Sequence, residues 1–96
     1  MVKMFSRYDA AEYLKTPEEM AAYLEICIEE ADGDSRLIIK ALGDIARAKG
    51  MTKIASKSGL SRESLYKSLS GDISPSFDTI FKVVSALGLK FHASIA

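Results

Sequence analysis

The sequence has a single cysteine, Cys27, and a single histidine, His92. One thiol excludes an internal disulfide, and the absence of clustered His and Cys leaves no metal site to expect. Cys27 falls within an apolar helical pattern and reads as a buried free thiol. His92 has no Asp, Glu or Cys near it in sequence, and no glycine-rich phosphate loop is present, so neither an enzyme nor a cofactor is expected. No run of about 18 apolar residues is available to cross a membrane, and no apolar stretch follows a basic start as in a leader. The expectation is therefore a cytoplasmic protein with no membrane partner. Repeats, low-complexity runs and long linkers are also missing. With 96 residues, 48% hydrophobic and 27% charged, the chain suits one globular domain over residues 1–96, with residues 1–7 loosely ordered.

Net charge is lacking too, at zero, but this balance conceals a strong segregation. Residues 9–34 carry nine acidic side chains against Lys15 alone, a local charge of −8. Residues 35–67 carry eight basic side chains against Asp44 and Glu63, a local charge of +6. The molecule should have an acidic end and a basic end, and the basic end is where a nucleic acid would be met.

Periodicity and capping residues divide the chain into five helices. Thr16, Pro17 and Glu19 form a start signal with a capping box. Met20, Leu24, Cys27, Ile28 and Ala31 then recur at helical spacing as far as Asp32-Gly33. A second helix follows Asp34, with Ile38, Leu42, Ile45 and Ala46 on one face, and stops at Gly50 with Arg47 and Lys49 at its negative end. Two short helices over 52–57 and 62–70 flank Ser58-Gly59-Leu60, with Ser61 capping the second. Ser76 caps a fifth, whose Phe77, Ile80, Phe81, Val84 and Leu87 should complete the core before Gly88. The last residues, 89–95, alternate apolar and polar and suit one short strand, paired with a second copy or with another protein's sheet.

The segment over 54–69 has the pattern of a helix-turn-helix, occupying roughly residues 51–70. Ala55 supplies the small side chain where two steeply crossing helices approach, and Gly59 supplies the positive φ of the turn. Leu60, Leu65 and Leu69 plant the second helix on the core and leave Arg62, Glu63, Tyr66, Lys67 and Ser70 facing out. Arginine can meet guanine bidentately, glutamate can accept from cytosine, and lysine can meet guanine or phosphate. Ser61, Ser64 and Ser70, with the free N–H groups at the helix start, suit phosphate oxygens. Other roles stay open for some of these residues. Tyr66 could lean on the core, Lys57 could be simply solvated, and Glu63 could pair with Lys67 four residues on.

Gly59-Leu60-Ser61-Arg62-Glu63-Ser64-Leu65-Tyr66-Lys67, followed by Pro75-Ser76-Phe77-Asp78-Thr79 and Ala86-Leu87-Gly88-Leu89, resembles the lambda-repressor-like, Xre-type DNA-binding group. More narrowly, the chain resembles the addiction-module antidotes, the HigA-like antitoxins. That likeness also takes in Tyr8-Asp9-Ala10-Ala11-Glu12-Tyr13-Leu14 and the stretch from Ala41 to Thr52. The resemblance implies an all-α, five-helix lambda-repressor-like domain, here with a short C-terminal strand added. It implies an antitoxin that neutralises a small RelE/ParE-superfamily toxin and represses its own operon as a homodimer on double-stranded operator DNA. A regulator of the same DNA-binding type without a toxin partner, or a purely protein-binding helical module, would share the pattern. The wider group often has Gln where Met51 stands, so Thr52 or Lys53 should take over its contact, and apolar residues where Ser58 and Ser68 stand. The acidic stretch 9–34 would dock on a basic toxin by charge complementarity.

Overall fold

The computed structural model describes residues 12–95, so the expectations for residues 1–7 and for the resemblance at residues 8–11 fall outside the described residues. After a helical stub at Glu12 and Tyr13, five helices follow: α1 (Pro17–Ala31), α2 (Ser35–Lys49), α3 (Met51–Ser58), α4 (Arg62–Ser68) and α5 (Phe77–Ala86). The described residues are all-helical in their regular structure.

Local chemistry sets these boundaries. The Thr16 hydroxyl accepts from the Glu19 backbone N–H at 3.1 Å, and Glu19 Oε1 accepts in return from the N–H groups of Thr16 and Lys15 at 3.0 and 2.9 Å. These backbone donors, that of Lys15 first, hold the Glu19 carboxyl below its ordinary range. Asp34 caps α2 by accepting from Arg36 N–H at 3.0 Å. Ser61 and Ser76 cap α4 and α5 in the same manner, accepting from Ser64 and Thr79. Each such cap satisfies a donor that the first helical turn leaves orphaned.

All five helices contribute to one core. Leu42, Ile45, Ile54, Leu65 and Val83 are its largest fully enclosed side chains. Around them pack Met20, Leu24 and Cys27 of α1, together with Val84 and Leu87 at the end of α5. α1 lies along α2, and α3 touches α2, α4 and α5, so α3 is the element through which the second half of the chain is assembled.

Four expectations need correction. Residues 89–95 form no strand: no other strand exists among the described residues to pair with them, and the Phe91 ring stacks on Phe77 of α5 instead. α4 ends at Ser68 rather than Ser70. Ile28 lies on the solvent side of α1, 44% exposed, while Met20, Leu24, Cys27 and Ala31 are buried as expected. On α5 the core takes Val83, Val84 and Leu87, with Ile80 half-buried, and leaves Phe77 and Phe81 largely exposed. The apolar arc of that helix is wider than the face its neighbours can cover.

A polar cluster ties α1 to α2. Asp44, buried on α2, accepts from the Tyr23 hydroxyl of α1 at 2.7 Å and pairs with Arg47 one turn on. Burial first, and then the hydrogen bond to Asp44, push the Tyr23 phenol well above its usual range. The consequence for stability follows from proton linkage. Below pH 10.0, the ordinary phenol value, folded and unfolded chains both keep this proton. Above it the unfolded chain releases a proton that the folded chain holds, so the Tyr23 contribution is lost as pH rises. Urea midpoints measured at about pH 9 and about pH 11 should fall less between the two for Tyr23→Phe than for wild type. Equal falls would show that Tyr23 is not the group responsible.

Candidate nucleic-acid interface

α3 and α4 are joined by residues 59–61. Gly59 has φ 79°, in the left-handed region, and its N–H closes α3 on the Ala55 carbonyl; a Cβ at that φ carries a steric cost that glycine avoids. Ala55 is buried at the approach of the two helices. The Ser58 hydroxyl donates to Ala55 O at 3.1 Å and accepts from Leu60 N–H at 3.4 Å. The serine therefore satisfies backbone groups of the turn. Met51, at the first position of α3, is buried and belongs to the core.

α4 is anchored by Leu65, which is fully enclosed, and by Leu69 just beyond its end at 3% exposure. Its other face is open, with Arg62, Glu63, Ser64, Tyr66 and Lys67 all exposed. The Arg62 guanidinium lies 5.5 Å from the Tyr66 ring centre and donates to the Tyr66 hydroxyl at 3.2 Å. Tyr66 is thus a platform for the arginine at the surface and not a core aromatic. A planar cation held against a ring one turn away loses less freedom on meeting a base edge or a phosphate. Glu63 and Lys67 form no ion pair with each other among the described residues, so both charges face solvent.

Thr52, Lys53 and Lys57 are exposed on α3, next to this face in the chain. Arg47, in contrast, turns inward to Asp44, and Arg36 pairs with Asp34 at 3.0 Å. On α3 and α4 the positive charge offered to a partner is that of Lys53, Lys57, Arg62 and Lys67. Two of the expected phosphate contacts also make hydrogen bonds within the chain. Ser61 Oγ caps α4, and Ser70 Oγ donates to the Lys67 carbonyl at 2.9 Å and accepts from Asp72 N–H at 3.1 Å. Ser61 only accepts in its cap, so its exposed O–H can still donate to a partner, as can that of Ser64. Sequence patterning showed which face of α4 is open, but it carried no signal for the arginine–tyrosine stack beyond the i,i+4 spacing of the two residues.

The acidic side lies on α1, where Glu18, Glu25, Glu29 and Glu30 are exposed. Ile28 of the same face lines a shallow groove with Glu25, Leu89 and Phe91, bringing the tail alongside α1. No cluster of three or more metal-ligating side chains occurs among the described residues, and no described helix is long and apolar enough to cross a membrane.

Residues 4–95 match the model of a family described as probable addiction module antidote protein. An uncharacterized protein of Haemophilus influenzae is 46% identical over 92 residues, which cover 96% of this chain and 93% of the relative. No solved structure matches the chain.

Proposed function

Given that this chain belongs to the family of probable addiction module antidotes, we propose that it is a HigA-like antitoxin with an Xre-type helix-turn-helix over residues 51–70. In this reading it neutralises a toxin of the RelE/ParE superfamily by direct binding and represses its own operon as a homodimer. The chain acts as one unit in the cytoplasm and does no chemistry of its own. An antidote implies a cognate toxin, and the exposed carboxylates of α1 are the surface that would attract a basic one. Complementary charge of this kind raises the association rate and selects the partner more than it adds affinity.

The observation that carries the DNA-binding half is the Arg62–Tyr66 stack on the open face of a helix anchored by Leu65. α4 enters the major groove, Arg62 meets a guanine edge, and Glu63 and Lys67 read or steady adjacent positions. Lys53, Thr52, Ser61, Ser64, Tyr66 and Ser70 set the register on the backbone, with Ser70 acting through the geometry it imposes on α4.

Co-expression with the small gene adjacent to its own, followed by purification and titration against promoter DNA, tests both halves. Arg62→Ala should cost about 1–3 kcal/mol of operator binding and relax preference at one base position while leaving toxin capture intact. The triple change of Glu12, Glu18 and Glu25 to lysine should do the reverse, slowing toxin association and sparing the operator. Operator affinity unchanged in Arg62→Ala would remove this arginine from the interface. Absence of a toxin complex with intact Arg62-dependent binding would leave a plain repressor.

A further inference from the structure

The least explained surface of the molecule is aromatic. Phe77 and Phe81 of α5 and Phe91 of the tail stack on one another, with ring centres 5.7 to 6.3 Å apart. Yet they are 70, 52 and 46% exposed. At about 200 Å² for each ring, they leave roughly 300–350 Å² of apolar surface facing water on each copy. That is the scale of the largest apolar patch on an ordinary monomer, and such patches are often functional.

The charges beside the rings say what the contact is. Asp78 and Lys82, one turn apart on α5, form an exposed pair at 3.1 Å directly alongside the Phe77–Phe81 row. On α5 itself one negative and one positive charge in a row balance each other, while Lys57 borders Phe81 at the edge toward α3. A second α5 running in the opposite direction, however, places its Lys82 beside Asp78 and its Phe81 beside Phe77. A patch that complements itself under a two-fold rotation is the signature of an isologous dimer.

We propose that two copies of this chain dimerise through antiparallel α5 helices, with the Phe77–Phe81–Phe91 cluster at the centre and two reciprocal Asp78–Lys82 pairs at the rim. The proposal rests on the antitoxin reading for its use of the dimer: α5 packs on α3, so this contact fixes one α3–α4 unit relative to the other on a palindromic site. The carboxylates of α1 are on a different helix and are left for the toxin, with Glu25 bordering the dimer contact where it shares a groove with Phe91. The interface is small, below about 1,200 Å² in total from its aromatic centre, which puts it in the concentration-dependent class.

Sedimentation velocity of the full chain alone, over a range of concentrations, tests this. Wild type should pass from monomer to dimer, and Phe81→Asp should remain monomeric with an unchanged helical circular dichroism spectrum. Asp78→Lys and Lys82→Asp should each weaken self-association about tenfold, because a two-fold axis applies the change twice. Mixing the two single variants should restore dimers, now heterodimers, since one chain then offers two positive charges and the other two negative. Wild type that is monomeric throughout, a dimer indifferent to Phe81→Asp, or a mixture no stronger than its parts would each overturn the interface. These readouts contain neither toxin nor DNA, so failure of toxin capture with an intact dimer would count against the antitoxin reading alone.

Discussion

Replacing Leu65 by alanine is expected to lower the unfolding free energy by about 3–4 kcal/mol, within the range for removing a buried leucine side chain. The size of the effect follows from where Leu65 stands. α4 has only seven residues, too few to hold a helix in isolation, and its position depends on the two leucines that fix it to the core. Leu65 is fully enclosed, so its truncation opens a cavity under the candidate reading face. A domain of this size is stabilised by about 5–15 kcal/mol in all, and the melting temperature should drop by about 15–25 °C. Tyr66→Ala, one residue along and 47% exposed, should stay within about 1 kcal/mol of wild type. Thermal melts of the two variants side by side are decisive, since equal losses would mean that α4 is not held in the manner described.

The second large effect is expected at Asp44. Asp44→Ala removes the acceptor that the half-buried Tyr23 hydroxyl uses at 2.7 Å and breaks the Asp44–Arg47 pair. Breaking a fully buried pair costs about 3–5 kcal/mol. Arg47 is one-third exposed at its side chain and can turn toward water, which lowers the expected loss to about 2–3 kcal/mol. Asp44→Asn, which keeps an acceptor for Tyr23, should lose less. Urea unfolding of both variants checks the order, and an alanine variant within about 0.5 kcal/mol of wild type would show that the cluster adds nothing to stability.

What could be seen in the sequence, and what could not, divides along physical lines. Thr16, Asp34, Ser61 and Ser76 announce helix starts because a cap is made with a backbone N–H two or three residues on, and such chemistry is visible in a short window. Gly59 and Ala55 are legible for a similar reason, as the turn dictates both. Asp44 was not legible as a buried residue, although it lies inside the buried run 41–46. A carboxylate on a helix ordinarily faces water, and its partner Tyr23 is distant in sequence. The position of Arg47 three residues later was the available local hint. Phe77 and Phe81 misled for another reason. Period alone identifies an apolar arc, and α5 has apolar residues over more of its circumference than α3 can cover. Which part turns inward is decided by the shape of the neighbouring helices, and here the smaller Val83 and Val84 fit where the rings do not. The tail alternates as a strand would, but alternation cannot supply the second edge a strand requires. On the candidate interface, the outward set on α4 was legible from the leucine stripe, whereas the internal engagement of the Ser61 and Ser70 hydroxyls depended on turn geometry.

Cys27 gives the molecule a built-in reporter of local opening. It is the sole thiol of the chain, enclosed between α1 and the rest of the core, and burial pushes its pKa up, so it is shielded from alkylating reagents both by cover and by its low thiolate fraction. A reagent reaches it through local opening of the α1 packing or through global unfolding, and where reclosing is faster than the reaction, the rate of modification reports the population of opened molecules. The helix that bears the acidic face thus carries its own gauge of how firmly it is seated, readable at a single atom with no label added to the protein.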